Sequence, residues 1–295
     1  MYWLEKTTYE RGLKLGENDK YIVVGDSRSV HNINPAFVKG LKNRSSGGNP
    51  WCVWFARMKD FMRANQDGVK RVFIVEVYPR LLAVERRREL RDCDYDKAIF
   101  WVFHPELHER VPFKNVYLKF FQNEFPSHAL LAARNFTMGK PFPGFYNGGF
   151  KAPAQDGGYS HSELLAQSDE QEAFLEGFRL SVEEAEYLEE IVNTVRQSGW
   201  DIVFVTYPTF PDPRAKERKI AFRNDMQSLC ERLHVNYINL SEYGQDESLW
   251  LDIVHERRSG VEVLWRAFAE NFNGVIPGLC ENQTKTDADA IEPGE

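Results

Sequence analysis

The chain has 295 residues, a length that suits one large domain or one domain with a substantial insertion. Its 42% hydrophobic and 27% charged residues are ordinary for a globular protein and exclude collagen, coiled coil and general disorder. The net charge of −7 is uneven, because residues 274–295 carry five acidic residues and one lysine, and the rest is close to neutral. A nearly neutral body argues against a nucleic-acid partner.

No apolar stretch approaches the roughly 18–20 residues that a membrane span requires. The first residues, Met-Tyr-Trp-Leu-Glu-Lys, also lack the basic-then-apolar layout of a signal peptide. We therefore expect the chain as given to be soluble. Membrane association is expected only through an upstream segment absent from this sequence.

Short apolar runs alternate with amphipathic segments along the chain. The runs predict buried strands at 21–24, 71–77, 201–207 and 235–238. Helical spacing predicts helices at 51–64, from Ser181 to about 199, at 215–233 and at 260–272, the second opened by a Ser181–Glu184 capping box. This alternation predicts an α/β fold with three layers, in which a parallel sheet has helices on both faces.

Residues of about 80–180 interrupt the alternation and are too many for an ordinary crossover. The stretch from Tyr95 to Phe150 holds 14 of the 40 aromatic residues of the chain. We interpret 1–273 as a single domain that carries this insertion as a lid, followed by a disordered acidic tail at 274–295. The aromatic residues either form a small core of the insertion or stack on a sugar or acyl group.

Two motifs point to nucleophilic chemistry. The first strand runs into Gly25-Asp26-Ser27, and Asp252 and His255 lie three residues apart shortly before the last predicted helix. Reactive groups of parallel sheets follow the carboxyl ends of the strands, as Ser27 does. A serine hydroxyl, a histidine base and a carboxylate that orients the base are the components of nucleophilic acyl transfer.

These motifs resemble those of the SGNH/GDSL hydrolase superfamily, over residues of about 21–80 and 181–272. The resemblance implies a flavodoxin-like sheet, with Ser27 as nucleophile, His255 as general base and Asp252 as its orienting partner. The spread of the motifs, with Gly260 soon after His255, looks like the bacterial branch that acts on cell-surface polysaccharides. The resemblance therefore implies an esterase or O-acyltransferase for acyl, preferably acetyl, esters of carbohydrate, and a bacterial cell envelope location. The sequence alone leaves the location unknown.

The resemblance also implies an oxyanion hole. Its members are the backbone N–H of Ser27 and a glycine block, for which Gly47 or Gly48 fits, with Asn49 as a further candidate. The asparagine block that the family often has after its third strand is missing, because the strand from Val72 ends in Glu76-Val77-Tyr78-Pro79.

The missing block supports a different hypothesis, a catalytically degenerate module that binds glycan or a partner protein. A third hypothesis is a metal-dependent phosphoesterase. His104 and His108, with Glu106 or Glu109, offer it a weak metal site, and Pro105 between them makes a solvated surface the preferred interpretation. The sequence has no Gly-x-Ser-x-Gly, no Gly-x-Gly-x-x-Gly and no His-Glu-x-x-His motif. We expect no metal and no cofactor.

Overall fold

The computed structural model describes residues 12–45, 51–78, 151, 153, 157–175 and 179–275. Its centre is a five-stranded sheet in which every pair of neighbouring strands is parallel. The strands are β1 (Tyr21–Val24), β2 (Leu41–Asn43), β3 (Val72–Glu76), β4 (Asp201–Thr206) and β5 (Asn236–Asn239). They lie in the order β2-β1-β3-β4-β5, so the direction of winding reverses beside β1. In open α/β sheets, ligands bind at the carboxyl ends of the strands near such a reversal.

Six α-helices accompany the sheet in the described part of the chain. They are α1 (Ser27–Asn32), α2 (Trp51–Ala64), α3 (His161–Leu175), α4 (Val182–Gln197), α5 (Lys216–Leu233) and α6 (Arg258–Val275). The start of α4 has the expected capping box. The Ser181 hydroxyl accepts a hydrogen bond from the Glu184 N–H at 3.2 Å, and the Glu184 carboxylate accepts one from the Ser181 N–H at 2.8 Å. Together they satisfy two of the N–H groups that a helix start leaves open.

Two apolar clusters cover the two faces of the sheet. On one face, α2, α4 and α5 pack on side chains such as Ile22, Phe73 and Phe204. On the other face, α6 packs on the alternate strand residues, among them Val23 and Ile74. Successive strand residues point to opposite faces, so apolar runs without alternation are what a sheet buried on both sides requires.

The predicted α/β class is confirmed, and the sheet is parallel with helices on both faces. The strands predicted at 71–77, 201–207 and 235–238 are shorter or shifted by a residue in the structure. The sequence did not predict β2, which is only Leu-Lys-Asn, nor α1, nor α3 within the proposed insertion. Elements as short as β2 and α1 have too few residues to show a periodic hydrophobic pattern.

Most of the proposed lid, and the tail apart from the end of α6, lie outside the described residues. His104, His108 and their acidic neighbours also lie outside them. In the ranges that the structure describes, no helix is both long and apolar enough to cross a membrane.

Candidate active site

The turn between β1 and α1 places Ser27 at the carboxyl edge of the sheet. Ser27 is the first residue of α1, and the carboxylate of the N-cap Asp26 accepts a hydrogen bond from the Arg28 N–H at 2.8 Å. A Cβ atom on Gly25 would overlap Ser29 Oγ and lie 2.7 Å from Glu76 Oε2. Glycine is therefore required here because strand, helix and Glu76 approach so closely.

The carboxylate of Glu76, at the end of β3, binds this turn through three contacts. Its Oε2 accepts hydrogen bonds from the Asp26 N–H at 3.1 Å and from the Ser29 hydroxyl at 2.7 Å, and its Oε1 forms an ion pair with the Arg28 guanidinium. Glu76 thus contacts the residue before Ser27 and the two residues after it. Glu76 is fully buried, and Arg28 is 1% exposed.

Two aromatic side chains lie close to the buried ion pair and the Ser29 hydroxyl. The Arg28 guanidinium lies 3.4 Å from the centre of the Tyr78 ring, a cation–π contact. The Ser29 hydroxyl lies 3.2 Å from the Tyr207 hydroxyl. Burial raises the pKa of the Glu76 carboxyl, and the adjacent Arg28 guanidinium opposes that rise. For Arg28, burial lowers the pKa, but the negative charge of Glu76, together with smaller contributions from Asp26, Tyr78 and Tyr207, outweighs it and raises the pKa overall.

The structure brings Ser27, His255 and Asp252 together. Ser27 Oγ lies 2.7 Å from His255 Nε2, and His255 Nδ1 lies 2.8 Å from Asp252 Oδ2. An ionised carboxylate only accepts hydrogen bonds, so Nδ1 carries the proton and Nε2 of the neutral ring accepts from the serine hydroxyl. The arrangement can therefore remove a proton from Ser27 and return it.

The loop that carries Asp252 and His255 is held by its own hydrogen bonds. Asp252 Oδ1 accepts from the backbone N–H groups of Val254 at 2.8 Å and His255 at 2.9 Å, which leaves Oδ2 for the ring. The Leu251 N–H donates to the His255 carbonyl at 2.8 Å and closes the loop. Burial raises the pKa of the Asp252 carboxyl, but the hydrogen bonds from His255 and Val254, together with the charge of His255, outweigh it and lower the pKa overall. Asp252 therefore stays ionised to orient the imidazole.

Described residues just before and within α3 lie against both halves of this site. The Lys151 N–H donates to the Val30 carbonyl of α1 at 3.1 Å, and the Tyr159 N–H donates to the Leu251 carbonyl at 2.9 Å. Leu164 of α3 packs in an apolar cluster with Ile253 of the histidine loop. The end of the proposed insertion thus contributes to the walls of the site.

The predicted oxyanion-hole residues are only partly described. Ser27 is the first residue of α1, and the N–H groups of a first helical turn have no intrahelical acceptor. Gly47, Gly48 and Asn49 lie outside the described residues. The segment that leads to them leaves β2 beside α1, since Asn43 donates to the carbonyl oxygens of Ser29 at 2.7 Å and Ile33 at 2.9 Å.

Sequence reasoning missed Glu76, Arg28 and His31. A charged residue at the end of the apolar run Val-Phe-Ile-Val-Glu, and an arginine directly after the candidate nucleophile, were signals that could have drawn attention to the buried pair. His31 lies one helical turn after Ser27, and that spacing places both on one face of α1.

A buried glutamate directly follows the histidine. Glu256 is 2% exposed, and its carboxylate has no hydrogen-bond partner in the described part of the chain. Burial raises its pKa to about 7. The absence of a Cβ on Gly244 makes room for it, because that atom would overlap Glu256 Oε1.

In the ranges that the structure describes, no cluster of three His, Cys, Asp or Glu side chains could hold a metal ion. No protein-family model matches the sequence, and no curated protein matches it.

We predict that Glu76→Ala destabilises the protein by about 3–5 kcal/mol, because it removes the closest charged partner of the buried Arg28 and leaves only the Asp26 carboxylate, 3.6 Å from Nε, in the described part of the chain. Urea unfolding measures the loss. Glu189→Ala is the matched control, since it removes the exposed partner of Arg232 and should cost at most about 1 kcal/mol. Replacing both partners, as Arg28→Met with Glu76→Ala, should recover part of the loss. An equal loss of unfolding free energy in Glu76→Ala and Glu189→Ala would contradict a buried ion pair between Glu76 and Arg28.

We predict that Glu256→Gln stabilises the protein at pH 8 but not near pH 4.5. The folded pKa of Glu256, about 7, lies above its ordinary 4.5, so folding favours the protonated acid. That contribution is fully present below pH 4.5 and is lost as the pH rises through 7. Glutamine stays neutral, and the gain at pH 8 should reach up to about 3 kcal/mol in urea unfolding.

The exposed Glu262→Gln is the control for this measurement and should change stability little at either pH. A stability difference between wild type and Glu256→Gln that does not vary with pH would show that Glu256 is not buried as an acid.

Proposed function

We propose that this protein is a serine esterase or O-acyltransferase in which Ser27, His255 and Asp252 form the catalytic triad. The observation that carries the proposal is the 2.7 Å contact between Ser27 Oγ and His255 Nε2, across 228 residues of sequence. His255 and Asp252 are each about one-quarter exposed, so a substrate can reach the pair.

In the proposed reaction, Ser27 Oγ attacks the carbonyl carbon of an ester while its proton passes to His255 Nε2. The bond between that carbon and the alcohol oxygen then breaks, and the alcohol leaves with the proton from Nε2. Water or a second hydroxyl attacks the acyl-enzyme, gives its proton to His255, and Ser27 recovers a proton when the acyl group departs. Asp252 stabilises the imidazolium that forms in both halves of the reaction.

We further propose an SGNH-type fold and acetyl esters of carbohydrate as the substrate class. The strand order β2-β1-β3-β4-β5 supports the fold, because it is the order of flavodoxin-like sheets. The position of Ser27 directly after β1, and of Asp252 and His255 before the last helix, supports it as well. The substrate class follows from the resemblance of the motifs.

A fluorophosphonate probe should label the wild-type protein on Ser27, because the probe reacts with a serine whose proton a neighbouring base removes. Ser27→Ala should lose the label, measured by intact-protein mass spectrometry. Ser228→Ala, which removes an exposed hydroxyl on α5, is the control and should label as wild type does. Equal labelling of wild type and Ser27→Ala would exclude Ser27 as the nucleophile.

Asp252→Asn should lower kcat for ester hydrolysis by about 10³–10⁴-fold, because an amide no longer holds the His255 ring in the tautomer that accepts from Ser27. The assay is hydrolysis of a chromogenic acetyl ester. A variant as active as wild type would exclude Asp252 from the triad. No hydrolysis by wild type would favour the hypothesis of a binding module without catalysis.

A further inference from the structure

A second histidine lies beside the proposed base. His31 is four residues after Ser27 on α1, and its ring is perpendicular to that of His255, with the ring centres 5.7 Å apart. The proposed mechanism does not use His31. Its position on the Ser27 face of α1 places it where the substrate would approach.

One hydrogen bond determines which ring nitrogen of His31 carries a proton. Its Nδ1 lies 2.8 Å from the carbonyl oxygen of Lys151, and a carbonyl oxygen only accepts, so Nδ1 carries a proton. Burial, followed by the charges of His255 and Lys151, lowers the pKa of His31 and favours the neutral ring, despite the contact with the Lys151 carbonyl. In that tautomer Nε2 is a hydrogen-bond acceptor.

The acceptor is available to a ligand. Nε2 of His31 has no hydrogen-bond partner in the described part of the chain, and the residue is only partly buried. The ligand must bring a donor, either a hydroxyl or a cationic group. A cation is disfavoured, because the positive charge of Lys151 already acts on this ring, as does the charge of His255 when it takes up the Ser27 proton.

We propose that His31 Nε2 accepts a hydrogen bond from a hydroxyl group of the alcohol portion of the substrate. This makes His31 a specificity-determining residue for polyhydroxylated alcohols. The inference rests on the proposed function, in which His255 Nε2 delivers its proton to the leaving alcohol oxygen. That oxygen lies beside His255, so a hydroxyl on a neighbouring carbon of the same alcohol lies within reach of His31.

Two acetyl esters that share a three-carbon alcohol test the proposal with the full chain. Glycerol monoacetate carries the additional hydroxyls, and propyl acetate lacks them. We expect the ratio of their kcat/KM values, glycerol ester over propyl ester, to fall about 3–10-fold in His31→Phe, which keeps a ring but removes the acceptor. His31→Gln, whose amide oxygen accepts, should restore part of the ratio. His234→Asn, at the remote C-cap of α5, should leave it unchanged.

The outcomes separate this inference from the proposed function. If wild type takes no label from the phosphonate and hydrolyses neither ester, both are overturned. If wild type is labelled and active but His31→Phe keeps the wild-type ratio, only the role of His31 is overturned. If His31→Phe lowers kcat/KM equally for both esters, the proposed role of His31 is also overturned, since His31 would then act on His255 and not on the alcohol.

Discussion

The contact between Glu76 and the turn around Ser27 is the constraint on which the site depends. One carboxylate accepts from the Asp26 N–H and the Ser29 hydroxyl and pairs with the Arg28 guanidinium. Glu76 belongs to β3, which pairs with strands on both sides, so its position is fixed by the centre of the sheet. A partly satisfied buried carboxylate would be costly, and its three partners therefore hold the turn around Ser27 in one conformation.

The other half of the site is fixed by a separate set of contacts. The loop with Asp252 and His255 closes on its own backbone, and Asp252 uses one oxygen for the loop and the other for the ring. Residues Lys151 and Tyr159 then hydrogen-bond to α1 and to this loop respectively. The distance between Ser27 and His255 is thus determined by the sheet on one side and by a self-bonded loop on the other, with the end of the proposed insertion touching both.

Local patterns in the sequence predicted much of this fold but few of the contacts that position the site residues. The apolar runs of β1, β3 and β4 are unmistakable because a sheet buried on both faces needs them. Gly25-Asp26-Ser27 and Asp252-x-x-His255 are short enough to be read directly. Glu76 and His31 could not be assigned roles, because their partners lie 47 and 120 residues away in sequence. Such pairs are defined by the topology of the sheet, and the hydrophobic periodicity of a short sequence segment carries no information about them.

The same buried pair explains the departure from the resembled family after β3. Where an asparagine donor is expected there, this chain has Glu76, which accepts, and Tyr78, which stacks on Arg28. A carboxylate cannot donate a hydrogen bond to an oxyanion unless it is protonated, and Glu76 is already occupied. For the proposed acyl transfer, Glu76 therefore offers the oxyanion no donor, and backbone N–H groups are the expected donors. Ser27 offers one at the start of α1, where the helix dipole also favours negative charge.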